Sequence, residues 1–137
     1  MTTADPEQTT SSTVYESAVT QVGAQVELFL EHGILIFFGA GAPAELHDMS
    51  VLHAATSAED GPRPGDTITL GDTSLEILAV GSVVRDNLLN LGHLDLKADG
   101  RTDPKLPGDV CVRTGPLPTL AVGDAFRITR PQETPTP

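Results

Sequence analysis

The sequence has little of several features that would assign a protein class at once. It has 137 residues with one cysteine, Cys111, four phenylalanines, one tyrosine and no tryptophan. A single cysteine excludes an internal disulfide framework and favours a reducing compartment. The longest apolar run, ILIFF at 34–38, has strand length and lies far below the roughly 18 residues that cross a bilayer. The polar N-terminal stretch lacks the basic and apolar regions of a signal peptide. We therefore expect a cytoplasmic protein with no direct membrane insertion.

Basic residues are also scarce. Eight Lys and Arg stand against 19 Asp and Glu, which gives a formal net charge of −11. Binding to a phosphate backbone needs clustered basic side chains, and the eight here are scattered along the chain. The charge thus argues against nucleic acid and anionic membranes as partners, and it favours fast encounter with a basic protein.

The length suggests one domain with one hydrophobic core. Residues 1–12 and 131–137 are polar and nearly free of large apolar side chains, so we expect both ends to be disordered tails. The folded domain is then expected to span residues 13–130.

Within this domain the hydrophobic pattern mostly has the period of two that is typical of β-strands. Two of the strands flank a Gly-Asp-Thr turn and predict a hairpin. The pattern of alternation is that of antiparallel pairing. Seven short strands are predicted, with the sequences TVYESAVTQV, ILIFF, DTITL, SLEILAV, HLDLKADG, DVCVR and DAFRI.

Two short stretches have helical character. APAELHDM places Pro43 at a first-turn position, and RDNLLNLG (85–92) ends on Gly92, a typical helix stop. At about two turns each, neither would be stable without tertiary packing. About seven strands with one or two helical turns predict an all-β barrel or sandwich.

The glycine-rich segment GAGAPA (39–44) follows a predicted strand and formally matches a dinucleotide-binding fingerprint, with Glu59 and Asp60 near the position of a ribose-binding acid. That fingerprint requires a long helix directly after the loop, whereas here a helical stretch of only about two turns follows. The alternatives are a plain turn and a nest of backbone N–H groups that binds an anion.

Four histidines are the other candidates for chemistry. His53 lies in the apolar stretch SVLHAAT, His93 follows a glycine at a predicted strand start, and His32 and His47 lie in polar surroundings. A zinc site built from His47, His53 and Cys111 would lack any of the usual ligand spacings. No nucleophile elbow is present for a catalytic triad. The residues alone leave His53 as a core residue, a metal ligand or a nucleophile.

Two blocks of sequence carry a resemblance to a known family. ILIFFGAGAPAELHDMSVLH and AVGSVVRDNLLNLGHLDLKADG resemble the glucitol/sorbitol-specific enzyme IIA of the bacterial phosphoenolpyruvate-dependent sugar phosphotransferase system (PTS). The second block is the more specific, through the run 79–83, then Asp86-Asn87-Leu88 and Leu91-Gly92-His93. The resemblance covers about residues 13–130.

The resemblance implies a function, a partner set and a site. Enzyme IIA accepts a phosphoryl group from the phosphohistidine of the carrier HPr and passes it to enzyme IIB of the membrane transporter, enzyme IIB/IIC. The phosphorylated histidine of the family falls on His53, and His93 is the candidate second histidine that stabilises the phosphoryl oxygens. No cofactor and no metal are expected. The alternative is a regulatory or binding module of the same fold that senses PTS phosphorylation without onward transfer. Weaker candidates for phosphoryl binding are Asn87, Ser82, Gly39 and Gly41.

Overall fold

The protein is a closed β-barrel. The structure, a computed structural model, describes residues 11–131. The barrel order is β1-β3-β2-β6-β7-β5-β4-β8, and β8 pairs back onto β1. Its strands are β1 (Ser11–Val22), β2 (Ile34–Gly39), β3 (Val51–Ala58), β4 (Thr67–Leu70), β5 (Thr73–Val80), β6 (Leu94–Lys97), β7 (Asp109–Val112) and β8 (Ala125–Pro131).

The predicted all-β class is confirmed, and each of the seven predicted strands is present. The hairpin between β4 and β5 is also confirmed: Leu70 pairs with Thr73 across a two-residue turn, in which Gly71 has φ +60°. The eighth strand, β3, was not predicted. Its second half, Ala-Ala-Thr-Ser-Ala, has neither an apolar alternation nor large side chains, so its strand structure comes from pairing with both neighbours.

The alternation indicates antiparallel strands, and two of the strand pairs depart from this. Six strand pairs are antiparallel, but β2 pairs with β3 and β6 pairs with β7 in parallel. Parallel neighbours need a crossover connection. After β2 this connection is the glycine-rich segment and a single 3-10 turn at Ala44–Leu46. The dinucleotide interpretation required a long helix at that position, so the structure contradicts it.

The helical predictions are partly correct. The second helix, α2 (Val84–Leu91), is confirmed and ends at Gly92 in the left-handed conformation. The first predicted helix is reduced to the 3-10 turn, which buries none of its residues. A segment this short is not stable as a helix without tertiary packing of an apolar face. An unpredicted five-residue helix, α1 (Val26–Leu30), precedes β2. Neither helix of the described chain has the length and apolar character needed to span a membrane.

The core fills the barrel interior with side chains from every strand. Phe37 and Phe126 are fully buried and pack together, with ring centroids 4.6 Å apart. Helix α2 packs against β2 and β6 and buries Val84 and Leu88. The last turn of this helix also lines the site described below.

The domain boundaries need a small correction. Ser11 and Ser12, assigned to the N-terminal tail, belong to β1, and Ser11 pairs with Pro131 at the end of β8. Backbone pairing places these residues in the sheet without apolar side chains, which is why their composition suggested a tail. The remaining tail predictions, 1–10 and 132–137, lie outside the described residues.

Candidate functional site

A cleft opens at the end of the barrel where α2 ends. Its volume is about 670 Å³. It lies between the segment after β2, the start of β3 and the last turn of α2. The lining is mostly apolar, and His53 is its one histidine. The lining residues are Tyr15, Phe38, Gly39, Ala40, Gly41, Ala42, Pro43, Leu46, His53, Ala54, Ala55, Ala58, Leu88, Leu89, Asn90, Leu91 and Gly92.

Strand β3 places His53 at the inner end of this cleft. In the sheet, His53 pairs with Val19 of β1 on one side and with Gly39 of β2 on the other. Its side chain is only 1% exposed and packs against the aromatic cluster of the core. The nearest ring is that of Phe126, at 4.7 Å between centroids, followed by Tyr15 at 6.0 Å. His53 is therefore part of the barrel core as well as of the cleft.

Both ring nitrogens of His53 have hydrogen-bond partners. Nε2 lies 2.7 Å from the carbonyl oxygen of Gly92, and Nδ1 lies 2.6 Å from Oγ of Ser17. A carbonyl oxygen accepts and never donates, so Nε2 carries a proton in this arrangement. In the neutral ring the Ser17 hydroxyl then donates to Nδ1. The bonds thus fix both the orientation of the ring and its tautomer.

Burial controls the charge of His53. Desolvation lowers the pKa of its imidazole below the ordinary value of 6.5, and the hydrogen bond to the Gly92 carbonyl partly opposes this. The low-dielectric surroundings disfavour the imidazolium. His53 is consequently neutral at physiological pH.

Gly92 approaches the site so closely that only glycine fits. Its φ is +66°, and a Cβ atom built on it would lie 2.5 Å from the backbone nitrogen of Gly39 and 3.2 Å from Nε2 of His53. The backbone N–H of Gly92 donates to the carbonyl of Leu88 at the end of α2. The helix end therefore presents the Gly92 carbonyl to the imidazole.

His93 is placed beside the cleft, outside its lining. Its ring stacks on Phe38, with centroids 4.2 Å apart and planes 2° apart. Its Nε2 lies 3.1 Å from a carboxylate oxygen of Asp95. The ring is partly exposed, and its neighbour Gly92 contacts His53 directly. The structure thus brings the His93 backbone to the site, while its side chain bonds Asp95 and stacks on Phe38.

Of the four weaker candidates for phosphoryl binding, two line the cleft and two do not. Gly39 and Gly41 line the cleft. Asn87 lies within α2, where its carbonyl accepts the His93 N–H at 3.2 Å, and Ser82 is exposed in the turn before that helix. Neither Asn87 nor Ser82 is among the cleft-lining residues of the described chain.

His47 and Cys111, the other residues of the hypothetical zinc site, each have contacts that do not include His53. His47 bonds the carbonyl of Ala42 at 2.8 Å. Cys111 is buried on β7, and burial is the main reason that the pKa of its thiol rises to about 11. Within residues 11–131, no three His, Cys, Asp or Glu side chains form a group that could hold a metal ion.

Two residues of the site, Ser17 and Gly92, were not predicted from the sequence as partners of His53. Ser17 looked like one more position in an alternating strand, and Gly92 looked like a helix stop. A sequence signal for Ser17 exists, because it alternates with Tyr15 and Val19 along β1, and all three are buried. A hydroxyl on the apolar face of a strand needs a hydrogen-bond partner. The carbonyl of Gly92 leaves no sequence signal.

Comparisons with known proteins agree with this architecture. A family profile described as "PTS system glucitol/sorbitol-specific IIA component" matches residues 14–127. Glucitol/sorbitol-specific EIIA components of Shigella flexneri and Escherichia coli (strain K12) are each 36% identical over 115 residues, which covers 83% of this chain and 93% of theirs. The crystal structure of a PTS system IIA component from Enterococcus faecalis V583 has a TM-score of 0.69 at 25% identity, and the match covers 81% of this chain and 96% of that one. On the agreement of profile, relatives and fold, the chain belongs to the family of PTS glucitol/sorbitol-specific IIA components.

Proposed function

We propose that this protein is a phosphoryl carrier of a sugar phosphotransferase system. It accepts a phosphoryl group from the phosphohistidine of HPr on His53 and passes it to the IIB domain of a glucitol/sorbitol transporter. The proposal rests chiefly on one observation: a buried histidine lines a mostly apolar cleft, and its burial lowers its pKa and so favours the neutral imidazole. The carrier would act in the cytoplasm, where its donor is found.

The chemistry of His53 suits this role. A neutral imidazole has a nucleophilic lone pair, and burial keeps His53 neutral. We propose Nε2 as the acceptor atom, because it faces Gly92, which lines the cleft, whereas Nδ1 faces Ser17 in the barrel interior. Phosphorylation of Nε2 requires its bond to the Gly92 carbonyl to break, since the nitrogen must lose the proton that this bond uses.

Phosphoryl transfer has a loose transition state, so the site mainly has to position the groups and stabilise the equatorial oxygens. On the turn after β2, the N–H groups of Ala40 and Ala42 already donate to the carbonyls of His53 and Gly39. We therefore favour the N–H of Gly41 as a donor to the phosphoryl group. His93 remains the proposed second histidine, which requires its ring to leave Asp95 and turn towards the cleft. Asn87, Ser82 and Gly39 remain weaker candidates.

The rim of the cleft is suited to a partner protein. Leu91 is 57% exposed at the end of α2, next to the cleft segment that includes Pro43 and Leu46. An apolar rim on a protein with a net charge of −11 fits a partner with an apolar contact surface in basic surroundings. HPr approaching through this opening would bring its phosphohistidine towards His53.

A second function has one observation in its favour. With both ring nitrogens bonded and the ring buried, the resting state withholds the nucleophile. A regulatory module that is phosphorylated slowly and does not pass the group on would have this resting state. Onward transfer to IIB distinguishes the two functions.

Three variants test the proposal. After incubation with phosphoenolpyruvate, enzyme I and HPr, His53→Gln should take up no phosphate, because an amide is not a usable nucleophile. His93→Gln should take up phosphate more slowly, but by less than the factor on the order of 10²–10³ that loss of a preorganised oxygen donor costs, because the His93 ring first has to leave Asp95. His32→Gln is the control, since His32 is exposed, and should match the wild type.

Intact-mass and peptide mass spectrometry provide the measurement, with circular dichroism to check that each variant folds. Phosphate on the wild-type peptide that contains His53 supports the proposal without any variant. Full uptake by His53→Gln together with none by His93→Gln would reverse the two roles.

A further inference from the structure

Within residues 11–131, Ser17 is the one side chain that bonds Nδ1, the inner nitrogen of His53. It lies on β1, faces the barrel interior and is only 3% exposed. Its Oγ is 2.6 Å from Nδ1 of His53, and the surrounding side chains are aromatic or aliphatic. A buried hydroxyl in such surroundings needs a hydrogen-bond partner, and the imidazole provides it.

The two hydrogen bonds of His53 impose a conflict on the proposed reaction. In the resting state the Gly92 carbonyl requires a proton on Nε2. The reactive state requires a free lone pair on Nε2, and therefore a proton on Nδ1. A hydroxyl group can both donate and accept, so Ser17 can bond Nδ1 in either tautomer. An acceptor-only or donor-only side chain at this position would serve only one of them.

We propose that Ser17 is a positioning residue for phosphoryl transfer, which holds the imidazole of His53 in both tautomers and accepts a hydrogen bond from the Nδ1 N–H while Nε2 reacts. This role rests on the proposed function of His53. It requires no movement of β1, because rotation of the Ser17 hydroxyl alone exchanges donor for acceptor. Of the two hydrogen bonds of the His53 ring, only the one between Nε2 and the Gly92 carbonyl must be replaced.

The tautomer exchange comes first and needs water as a proton carrier, which takes the proton from Nε2 and returns one to Nδ1. From the reactive tautomer, the transfer step then balances without a further reactant. The Nε2 lone pair forms a bond to phosphorus, while the bond between phosphorus and the donor imidazole breaks and its electron pair returns to the donor nitrogen. The donor ring enters with a proton on its other nitrogen and leaves as a neutral imidazole. His53 keeps its own proton on Nδ1, bonded to Oγ of Ser17, and becomes a phosphorylated imidazolium. The positive charge therefore passes from one ring to the other with the phosphoryl group.

The test compares loss of two similar hydroxyl groups. Ser17→Ala removes the partner of Nδ1. Ser50→Ala is the matched control, because Ser50 is fully buried and its Oγ donates to the Leu46 carbonyl at the same distance of 2.6 Å. Ser17→Thr restores a hydroxyl at the original position. The rate of phosphate uptake from phosphorylated HPr is measured for all three and for the wild type.

Ser17→Ala should slow uptake by roughly 10–100-fold, because the Nδ1 proton of the reactive tautomer loses its buried acceptor. Ser50→Ala should stay within a few-fold of the wild type, and Ser17→Thr should recover most of the rate. Nitrogen NMR of the imidazole gives a readout that a merely structural role would not change. Wild-type His53 should be protonated on Nε2 before phosphorylation and on Nδ1 afterwards, with the Nδ1 proton protected from exchange only when residue 17 carries a hydroxyl.

The outcomes separate this inference from the proposed function. If the wild type takes up phosphate on His53 and Ser17→Ala is as fast as Ser50→Ala, the role of Ser17 is wrong and the carrier function stands. An unprotected Nδ1 proton in the phosphorylated wild type would also overturn it. If wild-type His53 takes up no phosphate at all, the function itself fails.

Discussion

Replacement of Gly92 by alanine tests whether the helix end holds the imidazole. The φ of +66° is unfavourable for alanine, and a left-handed non-glycine residue costs about 1–2 kcal/mol. The added Cβ would also lie 2.5 Å from the Gly39 nitrogen and 3.2 Å from Nε2 of His53. The backbone must shift, which lengthens the bond between the Gly92 carbonyl and His53. Loss of the partner of a buried polar group costs a further 1–3 kcal/mol or so.

Gly33→Ala is the matched control for backbone strain. Gly33 has φ +73°, close to that of Gly92, but a Cβ there would meet only Ala98 at an ordinary 3.6 Å. Gly33→Ala should therefore lose only the strain of about 1–2 kcal/mol. We expect the free energy of unfolding of Gly92→Ala to fall by about 1–3 kcal/mol more than that of the control.

Urea denaturation measures this difference. With a slope of about 1–3 kcal/mol per molar urea, an excess loss of ~2 kcal/mol moves the midpoint by about 1 M relative to Gly33→Ala. Equal midpoints for the two variants would show that the contact between Gly92 and His53 adds nothing to stability beyond the effect of backbone conformation.

Three further predictions concern charge and the cleft rim. Burial lowers the folded-state pKa of His53, so below pH 6.5 the unfolded chain binds more protons than the folded chain. The free energy of unfolding of the wild type should therefore fall as the pH drops from 6.5 through the folded pKa, and His53→Gln should lose this part of the pH dependence in chemical denaturation. The same pH dependence in both proteins would contradict this prediction. Leu91→Ser at the cleft rim should slow phosphate uptake from HPr several-fold, whereas Leu28→Ser, equally exposed on α1, should leave the rate unchanged; equal rates for the two would argue against docking at this rim. If the net charge of −11 steers a basic HPr, the second-order rate of uptake should fall as salt is raised from 50 to 500 mM, and a constant rate would show that the charge affects only solubility.

The strands that could be predicted are those whose own residues carry the pattern. β4 and β5 alternate and flank a glycine turn, and α2 has apolar spacing and a glycine stop. These features are local in sequence. β3 could not be predicted in the same way, because its small residues become a strand only through pairing with β1 and β2. The two parallel pairs are likewise set by the closure of the barrel.

The candidate site likewise combines residues that the sequence indicated with contacts that only the fold creates. The choice of His53 came from resemblance to the family, since an apolar stretch around a histidine has several meanings. The partners of His53 come from positions 36 residues before it and 39 residues after it, and no local pattern connects residues so far apart. A backbone carbonyl such as that of Gly92 is present at every position of the sequence, so only the fold selects it.

The carrier function is best tested by following labelled phosphate from His53 to IIB. The protein is phosphorylated with radiolabelled phosphoenolpyruvate, enzyme I and HPr, then separated from them and mixed with an isolated glucitol/sorbitol IIB domain, with label followed on both proteins. We expect one label per chain, on the peptide that contains His53, and quantitative transfer of that label to IIB. Label that stays on His53 would contradict the carrier function and favour a regulatory module, and label on any other residue would contradict the site.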